Sequence, residues 1–305
     1  MPAFLTHYAC GVVNFNDMKD GAVRESISAH KGAYGMGLAG PDVYFYSMAE
    51  AFRPGMTIGR TLHKYRCGAF LQALYRETEQ YRGDDRKTAI AYFSGFLGHY
   101  ALDSSAHPLI FRETEDSCEK RQLGKHFRFE AAIDAYTARY VLCKDIRDTH
   151  QMGLFNLSSR EKHIIAHMLS EAFAAVYPDA SHSLSERRMY GMLYEYRVIS
   201  SLLMDETGFK EWVFTRLEEK IRGYVYLAPL FINRNLYGMS KEQYDRFRKR
   251  FDRGVRFFKK MTIYEEKALR NPEDERARDE FFSQIGNRSY HTGRPMEKYQ
   301  KLPKL

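Results

Sequence analysis

The sequence has few cysteines, and none of them is placed for a disulfide framework or a thiolate metal site. Its 305 residues include four cysteines, Cys10, Cys67, Cys118 and Cys143. No two of them form a CxxC pair, the spacing that structural zinc sites favour. Four scattered cysteines in a chain of this length predict reduced thiols, because disulfide frameworks belong mainly to small secreted domains.

The sequence also lacks an export signal and a membrane-spanning run. The first residues, MPAFLTHYACGVVNF, have no basic stretch and no long apolar core, so we expect no signal peptide. The longest apolar candidate, Tyr224–Ile232, contains Pro229 and is far shorter than the roughly 20 residues that span a bilayer. We therefore expect a cytoplasmic protein without a transmembrane segment.

The chain does have enough apolar residues for a sizeable core, and an excess of positive charge. Hydrophobic residues make up 44% of the chain, so it can fold as one large domain or two smaller ones. The net charge of +8 favours anionic partners, such as phosphate esters, nucleic acid or acidic lipid headgroups. Charge alone does not choose among them.

Helical periodicity dominates the chain, and no convincing strand alternation is present. The clearest helix covers residues 88–102, TAIAYFSGFLGHYAL, which Asp84 or Asp85 can cap and Pro108 should end. Further helices are predicted over residues 60–82, 124–143, 160–177, 185–204, 209–222 and 240–270. The sequence therefore predicts an all-α fold.

The composition changes near residue 205. We expect a helical domain over residues 1–205 and a basic helical C-terminal extension, residues 206–305, packed on it. The stretch Arg246–Arg256, RFRKRFDRGVR, can contact an anionic surface, although a solvated helix face is the usual role of such a run. Nothing in the extension matches a nucleic-acid-binding motif, so nucleic acid is not the favoured partner.

Histidines and carboxylates recur four residues apart. His99, Asp103 and His107 follow one another at this interval, which places them on one face of a helix. His126 and Glu130 have the same spacing. Imidazole and carboxylate groups on one helical face can chelate zinc. Upstream stand three more candidates, His7, Asp42 and His63.

The spacing by itself is weak evidence for a metal site. Composition predicts between about one and two His-x-x-x-Asp/Glu pairs. The sequence contains four, His99/Asp103, His126/Glu130, His167/Glu171 and His182/Glu186. The set His163, His167 and Glu171 is a competing candidate, and a buried hydrogen bond between His99 and Asp103 is the structural alternative to a metal site. In the apolar surroundings of His99, buried ionisable groups need a partner or a metal, and the spacing does not choose between the two.

The order of these motifs resembles the bacterial zinc-dependent phospholipase C family, which shares its all-α fold with the S1/P1-type nucleases. The resemblance rests on THY at 6–8, GPDVYFY at 40–46, FSGFLGHYALDSSAHP at 93–108 and HFRFEAAID at 126–134. It covers roughly residues 4–140. A multi-helix phospholipase C/P1 nuclease-like domain, with additional C-terminal helices, is the fold that it implies.

The resemblance also implies two or three Zn2+ ions in a cleft. One ion would be held by His63, His99 and Asp103, with Asp42 beside it. A second would be held by His107, His126 and Glu130. A third would be held by His7, with Asp103 bridging it to the first. Asp42 either completes the first site or acts as the catalytic general base, and a turn or helix cap is its structural alternative.

Two departures from the family pattern bear on these expectations, the N-terminal ligand and the spacing of two others. The interval from Asp103 to His107 is shorter than in the secreted enzymes, although HYALDSSAHP is typical of predicted intracellular members. Secreted members chelate the third zinc through an N-terminal Trp, whereas this chain begins MPAFLTH and its single Trp is Trp212. The third site therefore lacks its usual partner. Glu130 stands where nucleases of this fold usually carry Asp, which favours the phospholipase branch.

The resulting hypothesis is a zinc-dependent hydrolase that cleaves phosphate ester bonds, a phospholipase C-like phosphodiesterase using a zinc-activated water. Its substrate would be a phospholipid or another phosphate ester. Two alternatives stay open at the level of sequence. One is a single-strand nuclease of the same fold, and the other is a non-catalytic, zinc-stabilised binding protein.

Overall fold

The computed structural model describes residues 4–48, 57–117, 119–146, 149, 151–178, 184–205, 207–220, 232–233 and 239–297. Within these ranges the chain forms twelve α-helices and two 3₁₀ helices, which confirms the predicted all-α fold. The α-helices are α1 Phe4–Asn16, α2 Ala22–Ala29, α3 Lys31–Ala39, α4 Ile58–Lys64, α5 Cys67–Thr78, α6 Gly83–Glu113, α7 Glu119–Tyr140, α8 Ser159–Val176, α9 Glu186–Leu203, α10 Phe209–Lys220, α11 Lys241–Arg270 and α12 Glu275–Ile285. The 3₁₀ helices are Gly40–Tyr46 and Gln151–Phe155.

Extended structure in the described residues is limited to one short pairing. Strand β1, Met204–Asp205, pairs in parallel with β2, Ile232–Asn233. Most of the apolar candidate Tyr224–Ile232 lies outside the described residues. None of the helices in the described ranges is both long enough and apolar enough to cross a membrane.

Helix α6 is the central element of the fold. It is buried on nearly every side over its middle turns, with α3 against one face and α11 against another. Helix α3 approaches so closely that a Cβ added at Gly37 would lie 2.1 Å from the Tyr92 carbonyl oxygen. A Cβ added at Gly95 would lie 2.2 Å from the Tyr34 carbonyl oxygen. Glycine is therefore required on both helices, and the close contact fixes the position of the helix that carries His99 and Asp103.

The prediction that Pro108 ends this helix is wrong, because α6 continues to Glu113 with Pro108 inside it. Proline lacks the N–H that would bond to the carbonyl of Ser104. Gly293, from the C-terminal part of the chain, lies against that carbonyl oxygen. Tertiary packing thus accommodates the proline within the helix.

The predicted helix starts and breaks differ from the structure in several places, one being α7, which begins at Glu119 instead of residue 124. Arg82 occupies the N-cap position of α6, so neither Asp84 nor Asp85 is the cap. Both lie in the first turn, where a negative charge favours the helix dipole. The predicted helix over residues 60–82 is two helices, because Arg66 adopts a left-handed conformation between α4 and α5.

The hydrophobic core is continuous from the N-terminal to the C-terminal helices. Phe93 and Phe96 of α6 belong to the same buried cluster as Phe251 and Phe258 of α11. Each fully buried side chain of this kind contributes roughly 1.5–3 kcal/mol through its apolar area. The division at residue 205 remains a prediction, but helix α11 already serves as one wall of the core around α6.

Candidate metal centre

The face of α6 that points away from α11 carries three of the candidate ligands. His99, Asp103 and His107 follow at intervals of four residues, so they are stacked along this face. Their exposed fractions are 0%, 2% and 4%. Ionisable groups buried this completely are unfavourable unless they are paired or bind a metal.

Four other elements direct the remaining candidates toward the same face. All eight residues predicted from the sequence are buried and lie close to one another. The other five are His7 on α1, Asp42 on the first 3₁₀ helix, His63 on α4, and His126 and Glu130 on α7.

Asp103 lies at the centre of the cluster. Its Oδ1 is 3.1 Å from Nε2 of His7. Its Oδ2 is 3.2 Å from Nε2 of His99, 3.0 Å from Nδ1 of His107 and 3.5 Å from Nε2 of His63. One carboxylate therefore connects four imidazoles that come from three helices.

Three groups in the described residues have ligand atoms within 4.8 Å of one another. They are His7/His99/Asp103, Asp42/His63/His99 and His107/His126/Glu130. The third group has the members that the resemblance implies for the second zinc. The first two divide the remaining ligands differently from that expectation, since His99 belongs to both and Asp42 lies within a group rather than beside one.

The donor set fits zinc. Each of the eight residues has one buried side-chain atom that makes no hydrogen bond in the described part of the chain, although five of these atoms approach one another at ion-pair distances of 3.0–3.5 Å. These atoms are His7 Nδ1, Asp42 Oδ1, His63 Nε2, His99 Nε2, Asp103 Oδ2, His107 Nδ1, His126 Nδ1 and Glu130 Oε2. Buried polar atoms without partners are rare in native structures. Imidazole nitrogens and carboxylate oxygens that remain available in this way are the ligands that zinc prefers besides thiolates.

Backbone carbonyls fix the tautomers of two histidines. Nδ1 of His63 lies 2.7 Å from the Gly59 carbonyl oxygen, and Nδ1 of His99 lies 3.1 Å from that of Leu38. Because a carbonyl can only accept, each Nδ1 carries the proton. Each Nε2 is then directed into the cluster, where the neutral form of the ring would present a lone pair to a metal, as in a metal-binding histidine.

The histidines hold the carboxylates in their ionised form. Burial alone would raise the pKa of Asp103, but His107, His99 and His7 lower it well below its usual range. Burial likewise opposes ionisation of Glu130, and His126 and His107 lower the pKa of that carboxyl. Ionised carboxylates are the form that binds a metal.

Asp134 positions α1, a role that the sequence analysis did not foresee. The backbone N–H groups of Leu5 and Thr6 donate to its two oxygens at 3.3 and 2.9 Å. The Thr6 hydroxyl donates to it at 2.6 Å. Burial raises the pKa of Asp134 well above its usual range, although the donors of Thr6 and Leu5 oppose this. This anchor holds the start of α1 where the next residue, His7, meets Asp103.

A second feature that the sequence analysis missed is the C-terminal segment beside the cluster. The N–H of Tyr290 donates to the His63 carbonyl oxygen at 3.1 Å. The Tyr290 ring lies 5.1 Å from the ring of His63 and 5.7 Å from that of His99, measured between centroids. No periodic pattern or spacing links residue 290 to the histidines, so sequence reasoning had no signal for this contact.

The competing candidates lie on the surface. His163 and His167 of α8 each approach Glu186 of α9 at 3.3 Å. Their side chains are 62% and 48% exposed. Glu171 is also exposed. His182 lies outside the described residues. Surface pairs of this kind are common without a metal, whereas the buried cluster leaves its polar atoms unsatisfied.

The structure thus places a buried cluster of imidazoles and carboxylates, in three adjacent groups that could hold metal ions, inside an all-α protein. The family model described as zinc-dependent phospholipase C matches residues 1–181, and the chain belongs to that family. The match confirms the resemblance. No curated protein and no solved structure matches the chain.

Proposed function

We propose that this protein is a zinc-dependent hydrolase of phosphate ester bonds, with the activity of a phospholipase C-like phosphodiesterase. The observation that carries the proposal is the convergence of eight buried ligand residues, each with an unsatisfied donor atom, in a member of the zinc-dependent phospholipase C family. Zinc bound there would lower the pKa of water toward ~7 and polarise a phosphoryl oxygen.

The residues divide into three sets of roles in this proposal. His107, His126 and Glu130 hold one zinc. Asp42, His63 and His99 hold another, and Asp103 joins them to His7 at a third. The number of ions, two or three, depends on whether His7 and Asp103 retain zinc.

Asp42 can serve as a ligand or as the general base, and both roles require its ionised form. Burial would raise the pKa of Asp42, but His99 and His63 lower it below its usual range. Oδ1 of Asp42 lies 3.2 Å from Nε2 of His63. An Asp42→Asn variant separates the two roles. If Asp42 is a ligand, the variant loses zinc. If Asp42 is the general base, the variant retains zinc but does not turn over substrate.

Metal content tests the proposal first. Protein purified without added metal or chelator, at neutral pH, should contain two or three zinc ions per chain by elemental analysis. Asp103→Ala should lose zinc and hydrolysis together, because its carboxylate connects four of the histidines. His163→Ala, in the exposed pair on α8, is the matched control and should retain both. Protein without zinc, and with none taken up on addition, would refute the proposal.

A substrate screen then separates the alternatives. Hydrolysis of phospholipid vesicles or of bis(p-nitrophenyl) phosphate supports the phospholipase C-like activity. Cleavage of single-stranded DNA or RNA instead would support the nuclease. Full zinc content without activity on any diester would support a zinc-stabilised binding protein. The cytoplasmic location and contact of the basic C-terminal helices with an anionic surface remain predictions beside this proposal.

A further inference from the structure

The last described segment of the chain returns to the metal centre. We name residues 286–297 the return segment. The side-chain oxygen of Asn287 accepts a hydrogen bond from the Gly68 N–H at 3.0 Å. The Arg288 N–H donates to the Tyr100 hydroxyl at 3.0 Å. These bonds fix the return segment to α5 and α6, although it lies more than one hundred residues beyond the region that the family model matches.

The return segment is seated on α6 one residue from a candidate ligand. Gly293 has φ +65°, and a Cβ there would lie 2.3 Å from the Ser104 carbonyl oxygen and 3.2 Å from Cγ of Pro108. Only glycine permits both this conformation and this approach. The contact brings the segment to the helical turn that carries His107.

Two consecutive residues of the return segment, Tyr290 and His291, lie beside different groups of candidate ligands. Tyr290, which is 1% exposed, packs against His63 and His99 as described above. The ring of the next residue, His291, lies 3.6 Å from the ring of Phe111 between centroids. Phe111 in turn lies 4.8 Å from His126 and 5.6 Å from His107. His291 is therefore placed beside the His107/His126/Glu130 group.

The backbone of His291 is held, but its ring nitrogens remain available. The His291 N–H donates to the Ser289 hydroxyl at 3.1 Å. Within the described residues its imidazole makes ring contacts only, with no hydrogen bond. The side chain is partly exposed. Burial, together with the nearby Lys64, His107 and His126, lowers the pKa of His291 to about 4. A neutral imidazole retains one N–H donor, which points to an acceptor that comes from outside the chain.

We infer that His291 is a substrate-binding residue that donates a hydrogen bond to a phosphoryl oxygen of a substrate at the His107/His126/Glu130 group. The inference deepens the proposed function and rests on it. A phosphoryl oxygen is an anionic acceptor, and the exposed ammonium of Lys64 adds positive charge near the same place. The C-terminal part of the chain would thus complete a site whose ligands all come from the first 130 residues.

Binding of inorganic phosphate to the zinc-loaded full chain tests the inference without requiring turnover. His291→Ala should retain its zinc and bind phosphate about tenfold more weakly, as expected for the loss of one hydrogen bond to a charged group. His291→Gln, which keeps an N–H donor, should recover part of the affinity. His163→Ala should bind phosphate as the unmodified protein does. Isothermal calorimetry and elemental analysis give these values.

Three results would overturn the inference. Unchanged phosphate affinity in His291→Ala would show that the imidazole does not contact the anion. Loss of zinc would make His291 a metal ligand instead. Failure of the unmodified protein to bind phosphate would contradict it as well. If the unmodified protein binds phosphate but hydrolyses no diester, the proposed function fails, and the comparison of phosphate affinities still decides the role of His291.

Discussion

A buried glutamate on the far side of α6 should make stability depend on pH. Glu265 of α11 is 0% exposed, and its Oε1 accepts a hydrogen bond from the Ser94 hydroxyl at 2.5 Å. Its other oxygen has no hydrogen-bond partner among the described residues. Burial raises the pKa of Glu265 from 4.5 to about 8. At neutral pH the folded protein therefore holds this carboxyl in its neutral form.

The sign and size of the effect follow from proton linkage. Because the pKa of Glu265 is higher in the folded state, folding binds a proton between pH 4.5 and about 8. The free energy of unfolding therefore falls as pH rises through this window, by about 1.4 kcal/mol per pH unit. The complete change is at most about 5 kcal/mol. Above the window the contribution is constant.

Glu265→Gln removes this dependence, because glutamine resembles the neutral acid. We expect the stability of the variant relative to the unmodified protein to rise by several kcal/mol between pH 5 and pH 9, measured by urea unfolding followed by circular dichroism. Both proteins carry the same candidate metal ligands, so any contribution of zinc cancels in the difference. Glu115→Gln, at an exposed position, should give a difference that does not change with pH. A Glu265→Gln difference that is equally independent of pH would refute the assignment of a neutral buried carboxyl.

Three further predictions concern the metal centre and the helix that carries it. Asp134→Ala should lower the free energy of unfolding by about 2–4 kcal/mol, measured by chemical denaturation, because it leaves the donors of Leu5 and Thr6 unsatisfied. It should also lower the zinc content, measured by elemental analysis, because α1 no longer holds His7 in place. Treatment with a chelator should lower the melting temperature, because zinc at about 1,000 times its Kd stabilises the folded state by roughly 4 kcal/mol; an unchanged melting curve would contradict a zinc-bound native state. Gly95→Val should destabilise the protein by at least about 1–3 kcal/mol, because the added side chain overpacks against α3. Gly191→Val, where an added Cβ meets nothing within 4 Å, should cause no such loss, because valine has a higher helix propensity than glycine.

Much of the fold could be predicted because helix formation is governed by local spacing. The apolar periodicity gave α8 and α11 within one residue of their observed ends. It could not show that α6 continues through Pro108, because the carbonyl freed by the proline is covered by Gly293, which is distant in sequence. Nor could it separate α4 from α5, since the break depends on a left-handed conformation at Arg66, a residue type without a preference for it.

The candidate site, like the fold, could be predicted from the sequence only where local spacing determines it. Spacings of four residues place His99, Asp103 and His107 on one face of α6 by helix geometry alone. The positions of His7, Asp42 and His63 relative to that face require knowledge of how separate helices pack, and here only the order of the family motifs indicated a common site. Asp134 and the return segment are held partly through backbone atoms, such as the Leu5 and Thr6 N–H groups and the Ser104 carbonyl, which any residue supplies. Such contacts leave no pattern in the sequence, so the residues that support and surround a metal centre are the ones that the sequence is least able to reveal.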